Sequence, residues 1–317
     1  MTPSEVELLM DMATSISFYN STYIVLCVLY GVFIPLSVMA FYLFLIKGVK
    51  GYARKIILCS MIIVVLMTTW QSIVLLGSGI VLTKFYLVQT SNEGLQEQAI
   101  TGNTAGFFWF LQQNWPENII LLVSDATVAW RACAVWQSSR IIRYALIVLM
   151  IGNLITNLGS GITGDLETGQ PGQNTVNSRM NFASLFLSLG VNMVATLAIG
   201  IKIWYHHALT KLLYSNPNQR FSPTVKMLLL LVESGALFCV MQVLTCIFAV
   251  LDAYTVAFTP LDIAYSIIVQ FFGGITPIYP MAVIIILGLK KSPLEETFHH
   301  NDESVIVTNT IEPTASL

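Results

Sequence analysis

Seven apolar runs constrain this chain more than any other feature, at roughly 23–46, 56–82, 119–139, 141–163, 181–204, 225–251 and 262–289. A helix rises about 1.5 Å per residue, so about 20 apolar residues cross a hydrocarbon layer. In lipid each backbone polar group must be satisfied within its own segment, which predicts helices and disfavours open strands. The expected fold is an all-α membrane protein, a seven-transmembrane helix bundle. Residues 1–22 are expected to form an extracellular N-terminal segment, 23–291 the helix domain and 292–317 a disordered cytoplasmic tail. Composition agrees, with 55% hydrophobic and 10% charged residues against about a quarter charged in an ordinary soluble domain.

Charge placement gives the orientation. Lys47, Lys50, Arg54, Lys55, Arg140, Arg143, Lys202, Lys211, Arg220, Lys226, Lys290 and Lys291 fall on one side of the seven runs, and only Lys84 and Arg179 on the other. Cytoplasmic loops carry the excess of Lys and Arg, so the N-terminus is expected outside and the C-terminus in the cytoplasm. Glu5, Glu7, Asp11, Glu93, Glu97, Asp165 and Glu167 then lie outside, as does Asn20-Ser21-Thr22, an N-glycosylation acceptor sequence. The formal charge of −2 gives no reason to expect a nucleic-acid partner. The first run follows acidic residues with no Lys or Arg and is too long for the core of a cleavable signal, so it is expected to act as an uncleaved anchor.

All five cysteines, Cys27, Cys59, Cys133, Cys239 and Cys246, sit in apolar runs, which argues against disulfides in the loops. The longest external segment, about 83–118, carries Gly106-Phe-Phe-Trp-Phe-Leu111 and Trp115-Pro116, aromatics suited to an interfacial belt or a cover over the outer vestibule. The tail after Lys291 is polar, acidic and rich in hydroxyls, the composition of a disordered segment.

Three strongly ionisable residues lie well inside the runs: Asp125 and Arg131 in the third and Glu233 in the sixth. Each such charge costs on the order of 2.5–3.5 kcal/mol at the centre of a bilayer, so partners are expected. Counted from the cytoplasmic helix ends, Arg131 lies about 12 Å deep and Glu233 about 13 Å. Their matching depth predicts an interhelical ion pair between Arg131 and Glu233. Asp125 lies in the outer half with Gln71, Ser72, Asn157, Gln242 and Gln270, while Asn153 and Asn192 fall nearer mid-depth. The carboxylate with Gln71, Asn157, Gln242 and Gln270 forms a candidate ligand or ion site open to the outside, or a set of helix bridges. In the seventh run, Gly273, Gly274, Pro277 and Pro280 free backbone carbonyls and are expected to form a hinge.

Val123-Ser-Asp-Ala-Thr-Val-Ala-Trp-Arg-Ala-Cys-Ala-Val-Trp136, Leu231-Val-Glu-Ser-Gly-Ala-Leu237 and Thr276-Pro-Ile-Tyr-Pro280 resemble recurrent segments of a large seven-span family from mushroom-forming fungi. The resemblance implies a multi-pass membrane protein marked by Asp125, Trp130-Arg131 and Glu233-Ser234-Gly235, and it implies no established activity. The topology also resembles that of G-protein-coupled receptors. The chain departs from them in having no Cys-Trp-x-Pro in the sixth run, no Asn-Pro-x-x-Tyr in the seventh and no loop cysteines.

Other seven-span chemistries lack their residues. No lysine lies between Asp262 and Gly288 to carry a retinal Schiff base, and no histidine lies inside a run to hold a hydrolase zinc. No enzyme activity, cofactor or metal site is expected. The leading expectation is a receptor-like sensor in the plasma membrane or an endomembrane. It would take an unknown small-molecule ligand at a polar outer-half cavity and contact a cytoplasmic signalling protein through segments 47–55 and 202–226. A small-solute or proton-coupled transporter and a non-catalytic membrane scaffold are the alternatives.

Overall fold

The computed structural model describes residues 3–46, 52–88, 94–136, 139–168, 175–213, 223–255 and 259–308. They form seven long helices: α1 (Pro3–Ile46), α2 (Tyr52–Thr83), α3 (Leu95–Val135), α4 (Arg140–Thr168), α5 (Thr175–Leu213), α6 (Pro223–Asp252) and α7 (Pro260–Thr308). A single π turn, Lys84–Val88, follows α2, and no strand occurs among the described residues. Consecutive helices pack side by side, α7 closes back on α1, and α3 also touches α5 and α7. The third helix is therefore the inner member of the ring.

All seven helices are long and apolar enough to cross a membrane. Their outward faces carry Ile24, Val28, Leu66, Ile80, Val148, Ile155, Leu197, Leu237 and Val240, all exposed. A soluble protein does not tolerate apolar surface on this scale, whereas acyl chains cover it at no cost. The chain is a multi-pass membrane protein.

Buried positions recur every three or four residues. On α5 they are Ser184, Ser188, Val191, Asn192, Ala195, Ala198 and Ile199; on α6 they are Gly235, Phe238, Gln242, Thr245, Cys246 and Ala249. This spacing is the inward stripe of a helix. One apolar cluster joins α3 to α7 through Val128, Ala132, Leu146, Ala195, Phe238 and Tyr279, with the Phe238 and Tyr279 rings stacked 4.9 Å apart. A second joins α1, α2 and α7 through Phe33, Ala40, Met61, Val64, Met281 and Ile285.

Four expectations change. Residues 95–118 are not an external loop but the first turns of α3, which at 41 residues is about 60 Å long. The two tryptophans of this stretch pack on neighbouring helices while Phe107 and Phe108 stay exposed: Trp115 Nε1 donates to Asp165 Oδ2 on α4 at 2.8 Å, and the Trp109 ring lies where a side chain at Gly77 of α2 would go. Gln98 Nε2 donates to the carbonyls of Phe85 and Tyr86 at 3.0 and 3.1 Å, tying this extension to the π turn. Residues 292–308 continue α7, and 309–317 lie outside the described residues. Asn20 is exposed but sits within continuous helix α1, at the first residue of its apolar span, and not on a loop.

The expected hinge is a packing seam. α7 runs unbroken through Gly273, Gly274, Pro277 and Pro280, and both prolines are buried. A Cβ at Gly274 would collide with Leu29 of α1, 2.9 Å from its Cβ and nearer still to its Cδ1. The missing side chain thus lets α1 lie against α7. Gly274→Ala is expected to cost about 1–3 kcal/mol by overpacking. Gly31→Ala, with no atom within 4 Å of the new methyl, should be neutral or gain up to about 1 kcal/mol of helix propensity. Thermal unfolding in detergent compares the two.

Candidate functional site

The inner stripes of four helices converge on Asp125, whose exposure is 0%. Seven residues after Leu146, the α4 stripe supplies Asn153, and Asn157 follows one turn on. The α5 stripe supplies Ser188 and Asn192 one turn apart, and α6 supplies Gln242 one turn after Phe238. Each is fully or nearly fully buried.

Hydrogen bonds close the set. Asp125 Oδ2 accepts from Asn153 Nδ2 at 2.8 Å, and Oδ1 accepts from Asn192 Nδ2 at 2.6 Å. Asn192 Nδ2 also lies 3.0 Å from Gln242 Oε1, and Gln242 Nε2 donates to Ser188 Oγ at 2.8 Å. Asn157 Nδ2 donates to Asn153 Oδ1 at 2.9 Å and to its backbone carbonyl at 2.8 Å. The contact with Oδ1 fixes which end of the Asn153 amide faces Asp125. A buried carboxylate is costly unless donors surround it, and here α4 and α5 supply them directly while α6 braces α5.

The structure therefore divides the expected ligand site. Asp125, Asn157 and Gln242 come together, joined by Asn153, Asn192 and Ser188, which the depth estimate left out of the ring. Gln71 lies elsewhere, between α2, α3 and α7, in a cleft of about 230 Å³ lined by Glu117, Gly273 and Thr276. A methyl at Gly273 would sit 3.8 Å from both Gln71 Nε2 and Glu117 Oε1. Gln270 belongs to neither group, and its Nε2 is buried without a partner among the described residues. Glu117 was missed because the third span was expected to begin at residue 119, after Pro116. Proline inside α3 does not end it. Among the described residues the Asp125 carboxylate is enclosed, and it lines neither this cleft nor the one at Arg131.

The expected Arg131–Glu233 pair does not form. Arg131 is 9% exposed, its Nε donates to the Thr127 carbonyl one turn back at 3.1 Å, and its guanidinium lies 5.3 Å from the Tyr279 ring centroid. Its Nη2 is buried with no partner among the described residues. Glu233 is exposed on the outside of α6. The reason is angular: nine residues separate Glu233 from the inward Gln242, and at about 100° per residue that places them on opposite sides of the helix. Matching depth did not imply matching face.

Asp125→Leu leaves Asn153 Nδ2 unpaired and removes one of the acceptors of Asn192 Nδ2, which keeps Gln242 Oε1, and should cost about 1–3 kcal/mol. Asp125→Asn should cost less, because Asn192 Oδ1, unpartnered in the core, can turn to meet the new amide. Glu233→Gln should change stability by no more than about 0.5 kcal/mol, as at other exposed positions, and exchanging the charges at 131 and 233 should rescue nothing. Unfolding midpoints of the purified variants test all four.

No protein-family model, curated protein or solved structure matches this chain.

Proposed function

We propose that the protein is a receptor-like membrane sensor in which the Asp125 network is the latch between alternative packings of α3, α4, α5 and α6. One observation carries the reading: a single carboxylate with no exposure takes amide hydrogen bonds from α4 and α5, and the α5 amide is shared with α6. In a medium without water such a network is either satisfied or broken, so it favours discrete states over gradual deformation. Asn157 Oδ1 and Asn192 Oδ1 are buried acceptors without partners, which a second arrangement can use. A ligand that binds one packing more tightly shifts the population towards it.

A transport route through Asp125 would require the carboxylate to meet a solvent path, and its enclosure weighs against that alternative. The cytoplasmic placement of the C-terminus rests on the Lys and Arg bias. Of the basic segments offered to a cytoplasmic partner, 47–51 and 214–222 lie outside the described residues.

The latch is tested with spin labels at the exposed positions Ala134 on α3 and Leu229 on α6. The background replaces the five free cysteines by alanine, and the protein is held in lipid nanodiscs. Wild type should give a narrow distance distribution, and Gln242→Leu a broader or displaced one. Identical distributions in both would reject the latch. Proteoliposomes should show no proton flux that Asp125→Asn abolishes; such a flux would favour transport instead.

A further inference from the structure

We propose that Arg131 is the headgroup site for a single-chain anionic amphiphile, a long-chain fatty acid whose carboxylate pairs with the guanidinium and whose hydrocarbon lies along the adjoining apolar cleft towards the lipid. The inference does not depend on the sensor reading.

The charge comes first. A guanidinium does not lose its proton in a protein, so Arg131 remains a cation inside the bundle. Its contacts among the described residues are neutral, the Thr127 carbonyl and the Tyr279 ring, and its Nη2 has no acceptor among them. Asp125 is already engaged by two amides, and Glu233 is exposed on the far side of α6. Among the described residues no carboxylate pairs with Arg131. A buried cation without a counter-charge is the costly case, and an anion brought by a ligand removes that cost.

The cleft describes the remainder of the ligand. Arg131 lines a narrow cleft between α2, α3 and α7 with Ile57, Met61, Val64, Val123, Trp130 and Ile284. Two hydroxyls also line it, but Ser60 donates to the Ile57 carbonyl at 2.7 Å and Thr127 to the Val123 carbonyl at 2.8 Å. Their hydrogens are spent within their own helices. The wall offers one positive charge and otherwise hydrocarbon, which matches one negative group on an apolar chain. Trp130 both lines the cleft and is 46% exposed on the outer surface of the bundle, so the ligand reaches Arg131 from the lipid. An inorganic anion would gain nothing from such walls.

The full-length protein, delipidated and placed in phosphatidylcholine nanodiscs, is titrated with oleate, methyl oleate, acetate and oleoyl lysophosphatidic acid while the unfolding midpoint is followed. Oleate should raise the midpoint saturably, and methyl oleate and acetate should not. Arg131→Gln should weaken oleate roughly ten- to a hundredfold, the loss of a charged hydrogen bond. Ile57→Trp, which fills the cleft and leaves Arg131 in place, should weaken it as well, and it keeps the test valid if Arg131→Gln does not fold. A diazirine-bearing fatty acid should label residues 57–64 and 123–130 in wild type and neither stretch in Ile57→Trp. Equal responses to oleate and its methyl ester would reduce the effect to partitioning and overturn the proposal. Tighter binding of the lysophospholipid than of oleate would overturn the carboxylate assignment, and unchanged oleate binding in Ile57→Trp would overturn the site.

Discussion

Helices in lipid gain little from the hydrophobic effect when they meet one another, because acyl chains solvate their apolar faces as well as neighbouring helices do. What selects one arrangement of seven helices is close packing and the few polar groups that have nowhere else to go. In this protein those groups meet at Asp125. Its carboxylate accepts from Asn153 of α4 and Asn192 of α5, and Gln242 of α6 closes onto Asn192 and Ser188. An individual interhelical hydrogen bond in a membrane contributes only about 0.6 kcal/mol on average. The constraint comes from the other side of the ledger, since any packing that separates these helices leaves a carboxylate or an amide unpaired in hydrocarbon.

The two charges of α3 lie six residues apart and meet opposite fates. Asp125 faces the stripes of α4 and α5, which carry asparagines at the right turns. Arg131 faces α7 and the side of α2, where the chain supplies an aromatic ring, a backbone carbonyl and aliphatic walls. One site is closed and complete within the protein; the other is complete only with an anion from outside. This asymmetry separates a structural latch from a binding site on the same helix.

The number of long apolar helices was legible from hydropathy alone, because crossing a bilayer is a one-dimensional requirement on length and polarity. The extent of the third helix was not. Pro116 and the aromatics before it looked like the end of a loop, yet they lie inside a continuous helix whose Trp109 and Trp115 rings pack on α2 and α4. The site was legible in kind but not in membership. Depth counted along each helix grouped Asp125 with Asn157 and Gln242 but set its direct partners, Asn153 and Asn192, nearer mid-depth; azimuth depends on how each helix is rotated, which depth does not contain. Glu233 illustrates this most clearly. The burial stripe of Gly235, Phe238, Gln242 and Cys246 puts Glu233 on the opposite face, and small or polar residues at three- and four-residue spacing were the signal that could have shown it.

The closed site and the open one are also joined by contact. From Arg131 the guanidinium lies over Tyr279, Tyr279 stacks on Phe238, and Phe238 stands one turn from Gln242, which returns through Asn192 to Asp125 on the helix where the path began. The circuit crosses α3, α7, α6 and α5. Contiguity alone is not coupling; coupling requires an element with two arrangements that both sites bias. The aromatic pair is the element the two sites share, because Tyr279 faces the cation on one side and the α6 ring on the other, and Phe238 and Gln242 sit one turn apart on α6.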